Sequence, residues 1–197
     1  MSDETSKQTV LMIIDFQKAI DDPKWGRQNN PDAERQATDL LKAWRRHRRP
    51  VIHVQHLSTE ADSPYRPGQA GCDFKEDLAP CAGEIVIQKH TNNAFIETGL
   101  EAALRDRKIT DLVIAGVLLH NSVDATVRMA ANLGFRVRLV EDATKSCDLR
   151  DPSGRVWPAE DVHAVSLAQL GGEYAQIDRT RSLLAALPTL VADPSAA

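Results

Sequence analysis

The chain has 197 residues, a length that favours one domain, 1–197, with a core large enough to need no metal or disulfide staple. Its 24 lysines and arginines against 28 aspartates and glutamates leave a net charge of −4, which argues against a nucleic-acid or acidic-lipid partner. The apolar runs have the length of buried strands and fall far short of a membrane span, and the polar opening MSDETSKQ has no secretory leader pattern. Three cysteines, Cys72, Cys81 and Cys147, form no CxxC and no metal-ligand spacing. An odd count without a leader points to a reducing cytoplasm, with free thiols the ordinary state and a Cys72–Cys81 redox pair the less common one.

Strand and helix patterns alternate along the chain. Thr9 to Asp15 predicts a buried strand ending in an acid. Pro31 to Arg48 predicts a helix with Leu40, Leu41 and Trp44 at apolar spacing and a basic end, Arg45, Arg46 and Arg48, suited to the helix dipole. Pro50 to His56 is a second strand, and SPYRPGQAGCDF after it is too rich in proline and glycine for regular structure. Glu84 to Lys89 is a third strand, ending in a lysine, and Ile96 to Arg107 a helix with Leu100 and Leu104 on one side. Asp111 to Val117 predicts a fourth strand that runs into a helix, Asn121 to Leu133, stopped by Gly134. A fifth strand (Phe135 to Glu141), a helix (Pro158 to Leu170), a short sixth strand (Tyr174 to Asp178) and a helix (Thr180 to Leu187) follow. Residues 1–8 and 189–197 are expected to be flexible ends.

Strands with nearly continuous apolar interiors, separated by helices, imply an α/β fold with a parallel sheet covered on both faces. Right-handed crossovers put all strand C-termini on one edge, where such folds bind ligands. Asp15, Lys89 and the turn before Ser122 all fall there. An acid, a cation and a hydroxyl at three strand ends, beside a helix N-terminus with free N–H groups, make a candidate site.

These segments carry a resemblance. IIDFQ, VIQKHTNNAF and AGVLLHNSVDATVRMAANLGF, in that order and spacing, resemble the acid strand, the lysine strand and the nucleophile turn of the isochorismatase-like (cysteine hydrolase) superfamily, which includes nicotinamidases and N-carbamoylsarcosine amidohydrolases. The resemblance runs nearly end to end and implies a three-layer α/β/α sandwich with sheet order 3-2-1-4-5-6. It implies Asp15 as general base and acid, and Lys89 as the cation that lowers the cost of a developing anion. Backbone N–H groups of Leu118 and Ser122 would form the oxyanion hole, with a cis peptide at Val117–Leu118.

One departure stands out: the amidase members have a nucleophilic cysteine where this chain has Ser122. A thiolate forms readily near a helix N-terminus and a cation, whereas a hydroxyl needs a positioned base. Three readings follow: Ser122 is a working nucleophile, it replaces a natural cysteine, or the site has left acyl transfer for another role. Gln17, Trp25, Phe95 and Asn121 are candidate substrate-binding residues, with Trp25 and Phe95 equally readable as core. Arg27, Asn29, Asn92 and Asn93 are further polar groups of nearby loops. His53 and His56 in VIHVQHLS lack the D-x-H spacing of a nicotinamidase metal site, so no metal and no organic cofactor is expected. His90 and His120 lie near the site edge, and His163 reads as structural. The resulting expectation is a small-molecule hydrolase of C–N bonds in amides or ureides, with water as second substrate and self-association into dimers or tetramers. The alternatives are an isochorismatase-type vinyl-ether hydrolase without a thiol, and a catalytically silent small-molecule binder.

Overall fold

The computed structural model describes residues 8–190. In chain order it forms β1 (Gln8–Ile14), α1 (Ala33–Arg46), β2 (Val51–His56), β3 (Ile85–Lys89), α2 (Leu100–Asp106), β4 (Ile109–Val117), α3 (Asp124–Asn132), β5 (Arg136–Lys145), β6 (Leu149–Arg150), β7 (Val156–Trp157), α4 (Ala159–Leu170), β8 (Gln176–Asp178) and α5 (Thr180–Leu190). Six strands make one sheet, β3-β2-β1-β4-β5-β8, with every adjacent pair parallel. Leaving out the small antiparallel pair β6–β7, this is the expected order 3-2-1-4-5-6.

Alternation along the strands makes the layers, because successive side chains point to opposite faces. Val10, Met12 and Ile14 of β1 pack in a cluster with Leu100, Leu104, Val127 and Ala130 of α2 and α3. Leu11 and Ile13 face the other way, against Leu40, Leu41 and Trp44 of α1 and Leu183 and Leu187 of α5. Both faces of the central strand are therefore dry, as its unbroken apolar run requires.

Several boundaries differ from those expected. The helix predicted from Ile96 begins at Leu100, because Glu97 turns the chain at φ 55° and the Thr98 hydroxyl accepts from the Leu100 N–H at 3.2 Å. The helix predicted from Asn121 opens earlier, in a wide π-type turn over Leu119–Val123, before α3 proper. It closes at Gly134 with φ +86°, the left-handed cap the sequence signalled. β5 runs on to Lys145 by shifting register against β4: Ile114 pairs with Leu139 but Gly116 pairs with Thr144. The stretch between β5 and α4, without strand periodicity in the sequence, forms the β6–β7 hairpin; its turn is held by the Asp151 carboxylate, which accepts from the N–H groups of Ser153 and Arg155. The ends read as flexible lie outside the described residues, except that Gln8 opens β1 and 189–190 continue α5.

One ionic network fixes the β3 side of the sheet. Glu84, just before β3, accepts from Arg45 Nε at 2.7 Å and Arg45 Nη2 at 2.8 Å, and from the Cys81 N–H at 2.8 Å. His53 Nε2 lies 2.7 Å from the same carboxylate. Burial alone would raise the Glu84 carboxyl, but these partners outweigh it and hold it at about 2, against an ordinary 4.5. The folded state binds fewer protons here than the unfolded chain, so this contribution is complete above pH 4.5 and is lost as pH falls towards about 2. Urea midpoints of the protein and of Glu84→Gln, measured across that interval, should show a shallower acid decline in the variant; equal declines would remove Glu84 as its source.

Candidate functional site

The sheet order decides which strand ends meet. β1 and β4 are neighbours, so Asp15, one residue past β1, lies beside the turn that follows β4. β3 is one strand further out than β2, and His56 at the end of β2 is in register with Lys89 at the end of β3. A lysine stem is long enough to cross the end of β2 and reach Asp15. Gly116 permits the close approach of β1 and β4 just below: a Cβ there would lie 2.6 Å from the Ile14 carbonyl oxygen.

At the centre is the Lys89 ammonium, 0% exposed. It donates to Asp15 Oδ2 at 2.7 Å, to Ser122 Oγ at 3.2 Å and to the Thr91 carbonyl at 3.2 Å, and lies 3.4 Å from His56 Nδ1. Asp15 is 3% and Ser122 6% exposed, so all three groups are largely out of bulk water. The Asp15 backbone stands at φ 55°, a region aspartate tolerates better than most side chains, and its N–H and carbonyl bond to the Val54 carbonyl and the Gln17 N–H. Asp15 Oδ1 is buried without a hydrogen-bond partner among the described residues. Ser122 Oγ likewise has no carboxylate or imidazole hydrogen-bonded to it there; its partner is Lys89. The Val117–Leu118 peptide is cis, as the resemblance implied.

These groups open into a cavity of about 320 Å³. Asp15, Ser122, Val117, Leu118, Asn121 and Asn92 line it. Its wall also takes in Trp25, His56, Ser58, Ser63 and Tyr65, with Lys24 and Glu60. The aromatic rings brace one another: Trp25 and His56 each meet Tyr65 edge-on, at 6.1 Å and 5.6 Å. Trp25 Nε1 donates to the Ala19 carbonyl and the Tyr65 hydroxyl to the Asp15 carbonyl. Gly71 lets the wall loop fold tightly, since a Cβ there would sit 2.3 Å from the Pro64 carbonyl oxygen.

Of the residues singled out in the sequence, Asp15, Lys89, Ser122, Leu118, Trp25, Asn121 and Asn92 come together here. Gln17 and Phe95 do not line the cavity. Gln17 is fully buried and bonds through its amide to both backbone groups of His56 and to the Cys72 carbonyl. Phe95 stacks on Phe135 at 6.0 Å, packed against the α2–α3 core. Arg27 is drawn away by Asp148 and Glu160, Asn29 accepts from the Ser146 N–H, and Asn93 bonds to Ala125 and Phe95 backbone. Among the described residues no three His, Cys, Asp or Glu side chains are grouped to hold a metal. His53 bonds to Glu84, His90 to the Leu57 carbonyl, His163 to Thr144, and His120 lies 3.8 Å from the Cys147 sulfur.

His56 and Tyr65 also line the cavity, and neither is among the substrate-binding candidates the sequence offers. The first was findable: like Asp15 and Lys89, it ends an apolar strand on the same edge. Tyr65 sits in the irregular loop, where no periodicity gives direction. Burial and then the Lys89 charge lower the His56 imidazole below its ordinary value, and burial followed by the Asp15 charge raises the Tyr65 phenol well above its own. Both are neutral near pH 7.

The model of the isochorismatase domain matches residues 9–170. This chain belongs to the isochorismatase family. A crystal structure of an isochorismatase-family protein from Chromobacterium violaceum is 50% identical with a TM-score of 0.90, covering 96% of this chain and 97% of that one. The isochorismatase-family protein YrdC of Bacillus subtilis is 39% identical over 178 residues, 90% of this chain and 95% of its own length. A streptothricin hydrolase of Streptomyces noursei is 31% identical over 194 residues, 94% of this chain and 68% of that protein. The protein is thus an isochorismatase-family hydrolase.

A buried ion pair of this kind is costly to break from one side, since the partner is left charged and unmatched. Lys89→Met should destabilise the fold by about 3–5 kcal/mol in urea unfolding. Adding Asp15→Asn should recover part of that loss; a double variant as unstable as the sum of the two single changes would show that the pair is not coupled.

Proposed function

We propose that this isochorismatase-family hydrolase cleaves carbon–nitrogen bonds of small amides or ureides, with Asp15, Lys89 and Ser122 as its working groups. The observation that carries this reading is the shared ammonium: Lys89 holds one oxygen of Asp15 and the Ser122 hydroxyl, while Asp15 Oδ1 has no partner among the described residues. Ser122 Oγ attacks the carbonyl carbon and its proton passes to Asp15. The carbonyl π bond opens to an oxyanion facing the N–H groups of Leu118 and Ser122. Collapse breaks the C–N bond as Asp15 returns the proton to the leaving nitrogen. Water, deprotonated by Asp15, then cleaves the acyl ester, and the proton goes back to Ser122. The role of Lys89 is to lower the cost of negative charge on Oγ in a site shielded from bulk water. The cavity, about 320 Å³ with an aromatic wall, suits a small flat substrate. A ureidoacrylate amidohydrolase, RutB of Cronobacter turicensis, is a relative at 28% identity over 143 residues, 71% of this chain and 56% of that protein, which supports the bond class.

A second reading is favoured by one feature: no base is hydrogen-bonded to Ser122 Oγ among the described residues. In a vinyl-ether hydrolase Asp15 would act as the acid with no protein nucleophile. Ammonia release from a panel of amides and ureides, by the protein and by Asp15→Asn, Ser122→Ala and Ser122→Cys, separates the two. The amidase reading expects turnover by the parent, a loss of about 10²- to 10⁴-fold in Asp15→Asn, and no turnover by Ser122→Ala. Turnover of a vinyl ether that largely survives Ser122→Ala would replace it. Ligand binding without turnover in every variant would indicate a silent binder.

A further inference from the structure

Lys89 has more acceptors than protons. An ammonium carries three N–H donors. Four acceptors lie within 3.4 Å of this one: Asp15 Oδ2, Thr91 O, Ser122 Oγ and His56 Nδ1. His56 differs from the other three in carrying a proton whose position is open to choice. A proton on Nδ1 would point an N–H at the ammonium across 3.4 Å, and a doubly protonated ring would set two cations side by side in a largely buried site. The same neighbour disfavours both. The arrangement that meets it best has a lone pair at Nδ1 and a proton at Nε2. No protein group among the described residues is hydrogen-bonded to Nε2, and the residue lines the cavity.

We propose that His56 is a fixed, neutral hydrogen-bond donor to the substrate, its tautomer set by Lys89, and that its Nε2–H selects substrates with an acceptor oxygen beyond the scissile carbonyl. The groups around the ring agree with this assignment. Lys89 and His90 disfavour a second proton, whereas Asp15 and Glu60 favour one, and burial, the largest influence, keeps the ring neutral. Tyr65 packs edge-on and fixes the ring plane, and Gln17 fixes the His56 backbone on both its N–H and its carbonyl. A donor held at ring, backbone and tautomer is pre-organised, so little order is lost when a ligand oxygen accepts from it.

Two readouts test this. Long-range ¹H–¹⁵N correlations of the histidine rings, with His56 assigned by its absence in His56→Gln, should give the Nε2–H pattern for His56 from pH 8 to about pH 6. An Nδ1–H pattern, or protonation at or above an ordinary 6.5, overturns the proposal. The second readout compares succinamate with butyramide, which differ by a terminal carboxylate. In kcat/KM, His56→Phe should lose about 10- to 100-fold more on succinamate than on butyramide, chiefly through KM, and His56→Gln should restore most of it. Equal losses on both overturn the proposal. This kinetic arm rests on the amidase reading, and the tautomer does not. If neither amide is turned over, that reading fails on these compounds, and succinamate binding decides the donor: a shifted His56 Nε2 signal supports it, and an unmoved signal at saturating succinamate overturns it.

Discussion

The site depends on one buried contact, the Lys89–Asp15 ion pair at 2.7 Å. Removing both charges from water costs several kcal/mol each, and only close pairing with all remaining donors satisfied offsets that cost. This requirement reaches well beyond the two residues. Asp15 must follow β1, Lys89 must end β3 two strands away, and Thr91 and Ser122 must supply further acceptors. The sheet order β3-β2-β1-β4 is what brings these positions within one side-chain length.

Around the pair, residues that do not line the cavity set its dimensions. Gln17 ties the end of β2 to the loop after it by bonding to His56 backbone and the Cys72 carbonyl. Gly116 lets β4 pass close to Ile14, just before the acid. Glu84, Arg45 and His53 fix the opening of β3 against α1 and β2, and so fix the far end of the strand that delivers Lys89. Each contact is ordinary, but each removes a freedom that would let the ammonium drift from its acceptors.

The parallel sheet and the edge that carries the site were legible because both follow from periodicity. Short unbroken apolar runs such as VLMII, alternating with helical patterns, read as strands dry on two faces, and right-handed crossovers put their polar ends on one edge. The wall was not legible for the opposite reason. Tyr65, Ser58 and Ser63 belong to a loop whose path is set by Gly71 against Pro64 and by the Tyr65–Asp15 contact, all of them tertiary. Gln17 and Phe95 show the complementary error. Both lie close to site residues in the chain, but the backbone leaves the strand at Asp15 with φ 55° and Gln17 turns onto the His56 backbone and the Cys72 carbonyl, while the Asn93 turn directs Phe95 onto Phe135. Sequence proximity to a strand end identifies the neighbourhood and leaves the facing direction to packing.

The serine at position 122 changes what the same frame asks of its acid. A thiolate needs only a favourable field, which a helix N-terminus and an ammonium provide, whereas a hydroxyl must surrender its proton during attack. Lys89 occupies a lone pair of Ser122 Oγ, so the hydroxyl proton points away from the cation. On that same cation the Asp15 carboxylate uses Oδ2, which leaves Oδ1 as a buried acceptor without a partner among the described residues. Among the described residues one donor and one acceptor thus remain unmatched on a single ammonium. In the proposed acyl transfer the Ser122 proton passes to Asp15, whose Oδ1 the ion pair leaves free. In that reading the field that would serve a cysteine unaided is joined, for a serine, by a base on the same cation.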